Sequence, residues 1–234
     1  MFYILLATAL LPILIIVAII GIIGFSVYFF NPKKVILRKL SKTPSKPIGS
    51  LKTNDFVKVT GKALHVEEPL IAPLSKRKCI FYSMTIQKRV STGKSSHWKT
   101  IINEEKVQDF FLENRGDYAI VKPTQTPKNF ISYLVKDKKT SSGMFKTPTP
   151  EFESLLRQYN IDTTNFFGYN KSLRYAEGVI EIGEIITVAG IAIWKTLNQP
   201  IPEYTYSKIA ALESSDNQKL IITDLPMPDK NRHR

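Results

Sequence analysis

The first thirty residues, Met1 to Phe30, carry no charged side chain. About 28 residues of helix within MFYILLATALLPILIIVAIIGIIGFSVYFF reach roughly 42 Å at 1.5 Å per residue, against about 30 Å of bilayer hydrocarbon. That is enough to cross with tilt. A secretory signal would show a basic leading segment, a shorter apolar core and a small-residue cleavage site, and none is written here. The expectation is an uncleaved transmembrane helix over residues 1–30. Tyr28, Phe29 and Phe30 would be its interfacial aromatics, and Asn31-Pro32 its stop.

Charge then sets an expected orientation. Between Lys33 and Lys52 the chain holds seven basic residues and no acid: Lys33, Lys34, Arg38, Lys39, Lys42, Lys46 and Lys52. The positive-inside rule puts the N-terminus outside and the body in the cytoplasm, at a cell inner membrane. The same strip, as a semi-extended linker over 31–52, would lie against anionic headgroups, at about 1 kcal/mol per basic residue. Of the net charge of +13, this strip accounts for +7 and the tail 226–234 for +2, leaving +4 for residues 53–225. A body so mildly basic argues against a nucleic acid as partner.

With one cysteine, Cys79, and only His65, His97 and His233 beside it, the chain has no disulfide framework and no closed zinc site. No cofactor is expected. Gly93-Lys94-Ser95 lacks the earlier glycine of a phosphate loop, because Lys88 occupies that position, and it lies between strand patterns, where no helix N-terminus faces it. Cys79 follows Lys76, Arg77 and Lys78, but it opens a strand whose Ile80 side reads as core, so packing is the simpler role. Glu177, Glu181 and Glu184 are read as solvated or paired with Arg174. Phe166, Phe167, Tyr169 and Tyr175, interleaved with Lys171 and Arg174, fit a base-stacking patch less well than core around a loop. No catalytic constellation emerges, and the chain is expected not to be an enzyme.

Residues 53–225 read as short strands. DFVKVTGKALHV alternates around Val57, Val59 and Ala63, and CIFYSMTIQKRV around Ile80, Tyr82, Met84 and Ile86. Pro69 and Pro73 make EPLIAPLSKRK a loop. Asn114-Arg115-Gly116-Asp117 is a hairpin turn, and Gly183 separates two further strands. FISYLVKD is a strand candidate, 136–148 a basic loop, and the end of the chain a hairpin turning at Ser214–Asn217. One helix is expected from Pro150, with Phe152, Leu155, Leu156 and Tyr159 as its apolar stripe. The fold class is mainly β (α+β), an OB-like, partly open barrel with one or two short helices.

A set of residues in fixed order resembles the GIDE domain, or BAM ("beside a membrane") domain, of membrane-anchored RING-type ubiquitin ligases and of many prokaryotic proteins. These are Gly61, Pro69, Pro73-Leu74, Cys79, Tyr82, Trp98, Phe111-Leu112, Gly116, Val121, Pro123, Glu177-Gly178, Glu181, Gly183 and Gly190. The resemblance covers roughly residues 55–195. It implies a β-rich domain next to a bilayer, on the far side of the membrane from the RING, in conflict with the charge rule above. The RING's eight Cys/His zinc ligands have no counterpart in a chain with one cysteine, so a ligase label would follow from the shared domain alone.

The resulting expectation is a single-pass, non-catalytic adaptor or sensor, in an envelope-stress or defence setting, that captures another protein near the bilayer. Its contact surface would be Lys76, Arg77 and Lys78 with Lys136, Lys138, Lys139 and Lys146. The rival readings are a lipid- or nucleic-acid-binding OB-like module and an enzyme using Cys79 or the Glu177–Glu184 carboxylates.

Overall fold

The computed structural model describes residues 2–197 and 207–226, with side chains from Ile15 onward. The basic tail at 227–234 and the start of the expected last hairpin at 203–206 lie outside the described residues. The chain divides into two compact units, Met1–Lys42 and Thr43–Arg234.

The first unit is a helical pair. Helix α1 runs Phe2–Phe29 and α2 runs Pro32–Lys42. Within the described side chains no single helix is long and apolar enough to cross a membrane, but the bent pair Ile15–Phe29 and Pro32–Lys42, at 58°, is a candidate by length and composition. The expected semi-extended linker is therefore corrected over its first half. Pro32 does not end the helical region but opens a new helix, since its fixed φ suits the first helical position and no N–H is needed there. Asn31 caps it, with Oδ1 accepting the Lys33 N–H at 3.0 Å and the carbonyl accepting the Val35 N–H at 2.9 Å. The helix is amphipathic, with Ile36 and Leu40 buried and Lys33, Lys34 and Lys42 exposed.

The second unit is built on two sheets. Five strands close a barrel: β1 (Phe56–His65), β5 (Phe110–Asn114), β6 (Asp117–Val121), β10 (Ile185–Thr196) and β11 (Lys208–Glu213). The order round it is β1-β5-β6-β11-β10 and back to β1. All contacts are antiparallel except β6 with β11, which is parallel. Strand β1 can serve two partners because it is long: Phe56–Lys62 pair with β10 and Lys62–His65 with β5. Where it passes from one to the other sits Gly61, at which any Cβ would meet the Glu113 carbonyl oxygen at 2.3 Å. The barrel is thus closed rather than partly open. Val57, Val59, Ala63, Phe110, Leu112, Val121, Val188 and Leu212 fill it.

Two insertions between barrel strands form the second sheet. The first carries β2 (Leu70–Ile71), β3 (Lys78–Ser91) and β4 (Ser96–Val107). The second carries β7 (Phe130–Tyr133), which stays in the first sheet and runs parallel to a last strand at Leu220–Thr223, and then β8 (Lys138–Ser142), helix α3 (Pro150–Gln158) and β9 (Leu173–Glu181). Strand β3 pairs with β4 on one side and β9 on the other, and β8 adds to β9. Helix α3 begins as expected, with Thr149 Oγ1 accepting the Phe152 N–H at 3.4 Å and Pro150 following the cap. It lays Phe152, Leu155 and Leu156 on Met84, Ile86, Leu173 and Tyr175.

Three local expectations are corrected. The segment 136–148 is not simply a loop, because β8 runs through it and pairs with β9. Pro69 and Pro73 flank a two-residue strand rather than abolish pairing. The final hairpin is no hairpin: β11 and β12 (Leu220–Thr223) each pair with β10, at Ile191–Thr196 and Thr187–Ala189. Turn residues at 214–217 signal a reversal, but the Ser215–Gln218 turn only interrupts the run along β10.

Candidate functional site

Arg77 sits on the turn between β2 and β3 and gathers carboxylates from two other strands. Its Nη1 lies 2.7 Å from Glu181 and 2.6 Å from Asp137, its Nη2 lies 3.0 Å from Asp137, and its Nε donates to Ser75 at 3.1 Å. Hydrogen bonding to Asp137 holds the guanidinium pKa above its usual value, against the opposing cost of burial. Burial would raise Asp137, but the hydrogen bond and charge of Arg77 outweigh it and keep that carboxyl below its ordinary range. Behind them Glu177 has no exposure at all. Its oxygens accept the N–H groups of Leu74 at 3.0 Å and Ser75 at 3.3 Å and the Tyr175 hydroxyl at 2.5 Å. This overturns its reading as a solvated residue. Alternation around Val179-Ile180 gave no hint that its partners lie about a hundred residues earlier.

A cavity of about 490 Å³ opens beside this network, lined by Arg77, Asp137, Glu181, Glu184 and Asp224 among others. Burial pushes the Glu184 and Asp224 carboxyls up. Each already accepts backbone amides, Glu184 from Glu181 at 2.9 Å and Asp224 from Val135 at 2.8 Å. Among the described residues no group of three or more His, Cys, Asp or Glu is arranged to hold a metal ion. Asp137, Glu177 and Glu181 tie the Pro73–Lys78 turn to β9 and to the start of β8.

Cys79 is fully buried, and burial raises its thiol pKa to about 11. A nucleophile needs the opposite shift. His97 pairs in register with Val90, so it lies about 36 Å along β3 from Cys79. Glu104 accepts the hydroxyls of Tyr82 and Tyr159, each at 2.5 Å, and links the end of α3 to the sheet.

The basic residues singled out from the sequence are scattered. Lys46 pairs with Asp55 at 2.5 Å. Lys34 stands 5.2 Å from the Tyr28 ring centre and Arg38 3.8 Å from that of Phe29, so aromatic belt and basic strip touch. Lys136 is withdrawn, its Nζ donating to the Ser83 carbonyl at 2.5 Å and hydroxyl at 2.9 Å, and burial lowers its pKa. Lys76 and Lys78 are exposed; Lys138 pairs in register with Glu177, near the Arg77 network, and Lys139 with Ala176, while Lys146 belongs to another place, the far end of the second sheet.

That far end is the most unusual surface of the unit. The β3–β4 turn at Thr92–Ser95, the turn Gly143–Lys146 and the loop 163–170 meet there around a cavity of about 580 Å³ lined by Lys88, Lys94, Met144, Asn165, Tyr169 and Lys171, among others. Phe145 is 99% exposed, Phe166 98% and Phe167 78%. The expectation that Phe166, Phe167 and Tyr169 form core is overturned; only Tyr175 is buried. The turns are fixed by their own backbone. Gly143 and Lys146 exchange two hydrogen bonds at 2.9 Å, and Asn165 Oδ1 accepts the N–H groups of Phe167 and Tyr169 at 3.0 Å. Gly168, at φ +78°, permits the reversal. Lys88, Lys94 and Lys171 were missed as a group. The available signal was a pair of phenylalanines in a Thr/Asn/Gly loop, with no periodicity that could bury them.

No family model, curated protein or solved structure matches the chain.

Proposed function

We propose that this is a membrane-anchored, non-catalytic interaction protein, with an OB-like barrel held beside the bilayer. The observation that carries this reading is the succession of a charge-free helix, a basic amphipathic helix and a closed barrel within one chain. Charge-free helices of 28 residues are suited to hydrocarbon, and a following basic helix suits the headgroup layer of the cytoplasmic leaflet. The barrel strands, in chain order, run first-second-third-fifth-fourth with the third and fifth parallel, which is the arrangement of an OB barrel. The GIDE resemblance fits the same reading. Gly61 and Gly190 sit at close strand approaches, and Glu177, by accepting the Leu74 N–H, latches the turn after Pro73 to β9. Those residues serve the fold, so a shared domain would carry a shared architecture without a ligase activity. The buried, high-pKa thiol of Cys79 and the committed carboxylates support a binding role over catalysis. The OB surface for oligonucleotides, the face of the second and third strands, here sets Glu113 opposite Tyr118 and ends in Asp117, a poor match to phosphate.

The test is extraction of membranes at alkaline pH. The full chain is expected to stay with the bilayer, and a chain beginning at Thr43 to leave it. Release of the full chain into the soluble fraction would refute the anchor.

A further inference from the structure

We propose that the aromatic rim at the far end of the second sheet docks on an anionic lipid surface, with Phe145, Phe166 and Phe167 entering the interfacial layer and the surrounding lysines contacting headgroups. Three neighbouring stretches build this rim: residues 86–99, 140–149 and 162–175, which start or end on the rung Ile86, Thr140 and Tyr175. They carry four, one and two Lys or Arg and a single acid, Asp162, which lies 3.5 Å from Lys171. The +4 of residues 53–225 therefore resolves into +6 at the rim and −2 over the rest. The stretches adjoin through β3–β9 and β8–β9 pairing and the Arg89 N–H bond to the Ser172 carbonyl at 2.9 Å.

The chemistry of the patch selects its occupant. Three phenylalanines and Met144 project into solvent from two neighbouring turns, Gly143–Lys146 and the loop 163–170, beside the cavity described above. Such tips suit a deformable apolar medium, and a ring of lysines suits its phosphate and carboxylate headgroups, as in other interfacial anchors. Base stacking fits less well. Phe166 and Phe167 pack edge to face at 5.6 Å rather than as successive parallel platforms, and the Trp98 ring is covered by the Arg174 guanidinium at 4.3 Å. Apolar rings held almost wholly in water also cost free energy that burial in lipid would recover. The rim belongs to the second unit alone and does not depend on the anchor being correct.

The experiment uses the full chain with Thr147→Cys, an exposed neighbour of Phe145, carrying an environment-sensitive dye; Cys79 is buried and stays unlabelled. Host bilayers and separately added vesicles are made of phosphatidylcholine alone or with phosphatidylserine, both including chain-brominated lipid. The expected result is a blue shift and quenching with phosphatidylserine only, reversed by salt. The triple change Phe145→Ser, Phe166→Ser, Phe167→Ser should abolish quenching while leaving the unfolding midpoint in place. Lys94→Glu with Lys146→Glu should raise the phosphatidylserine content needed. Quenching by added vesicles of a chain that alkaline extraction releases would sustain the rim and sink the anchor. A dye that stays in water with both lipids, quenching unchanged in the triple variant, or a response to an oligonucleotide or a protein in place of lipid would overturn the proposal.

Discussion

Glu177 puts a carboxylate in the interior and satisfies it with two backbone amides and one phenol. Such a group is worth most through what its loss leaves behind, since unpaired buried donors cost about 1–3 kcal/mol each. Glu177→Ala should therefore lower stability by about 3 kcal/mol or more, and Tyr175→Phe by about 1 kcal/mol, both read from denaturant unfolding. An unchanged midpoint for Glu177→Ala would mean that the latch holds nothing. Residues of this kind are where sequence reading failed. Glu177 looks like any strand glutamate until the Pro73–Lys78 turn is folded against it, and Lys136 looks like a surface cation until Ser83 is beside it. Cys79 packs as expected but not through alternation, because the start of β3 is covered on both faces and Cys79, Ile80, Phe81 and Tyr82 are all buried.

Elements governed by local chemistry were readable, and elements governed by distant partners were not. The β5–β6 hairpin announced itself through Asn114-Arg115-Gly116-Asp117, and Arg115 and Gly116 do take positive φ. Helix α3 was written in its cap and stripe. Helix α2 was hidden by the double meaning of proline, and β8 by a lysine- and serine-rich composition that is stable only because β9 supplies its hydrogen bonds. The two ends of β10 with β11 and β12 could not be told from a hairpin, since turn residues do not say which strand lies next. Glycine marks where elements press closest. At Gly178 on β9 a Cβ would stand 2.4 Å from the Val135 carbonyl, whereas at Gly143 it would meet only the Ser172 hydroxyl at 3.6 Å. Gly178→Ala should cost about 2 kcal/mol or more through overpacking, and Gly143→Ala should stay within about 0.5 kcal/mol. Thermal unfolding of the pair checks the difference, and equal midpoints would contradict the close approach of β9 to the segment after β7.

At the scale of the molecule, composition hid an organisation that folding brings out. A body of +4 reads as nearly neutral along the chain, yet stretches richer in lysine and arginine converge on one end of the second sheet, while Asp137, Glu181, Glu184 and Asp224 gather near Arg77. The charge-free start and the basic run after it stand out in the composition, and the first half of that run folds as a helix rather than as a linker. The central claim joins these facts: α1 crosses a bilayer, and the barrel lies on the side of the basic residues that follow it. The most direct measurement is labelling of Ser215→Cys, on the exposed turn after β11, with a membrane-impermeant thiol reagent in sealed vesicles of both orientations. The account predicts labelling only in vesicles with the cytoplasmic face outward. Labelling in the opposite orientation alone would contradict it.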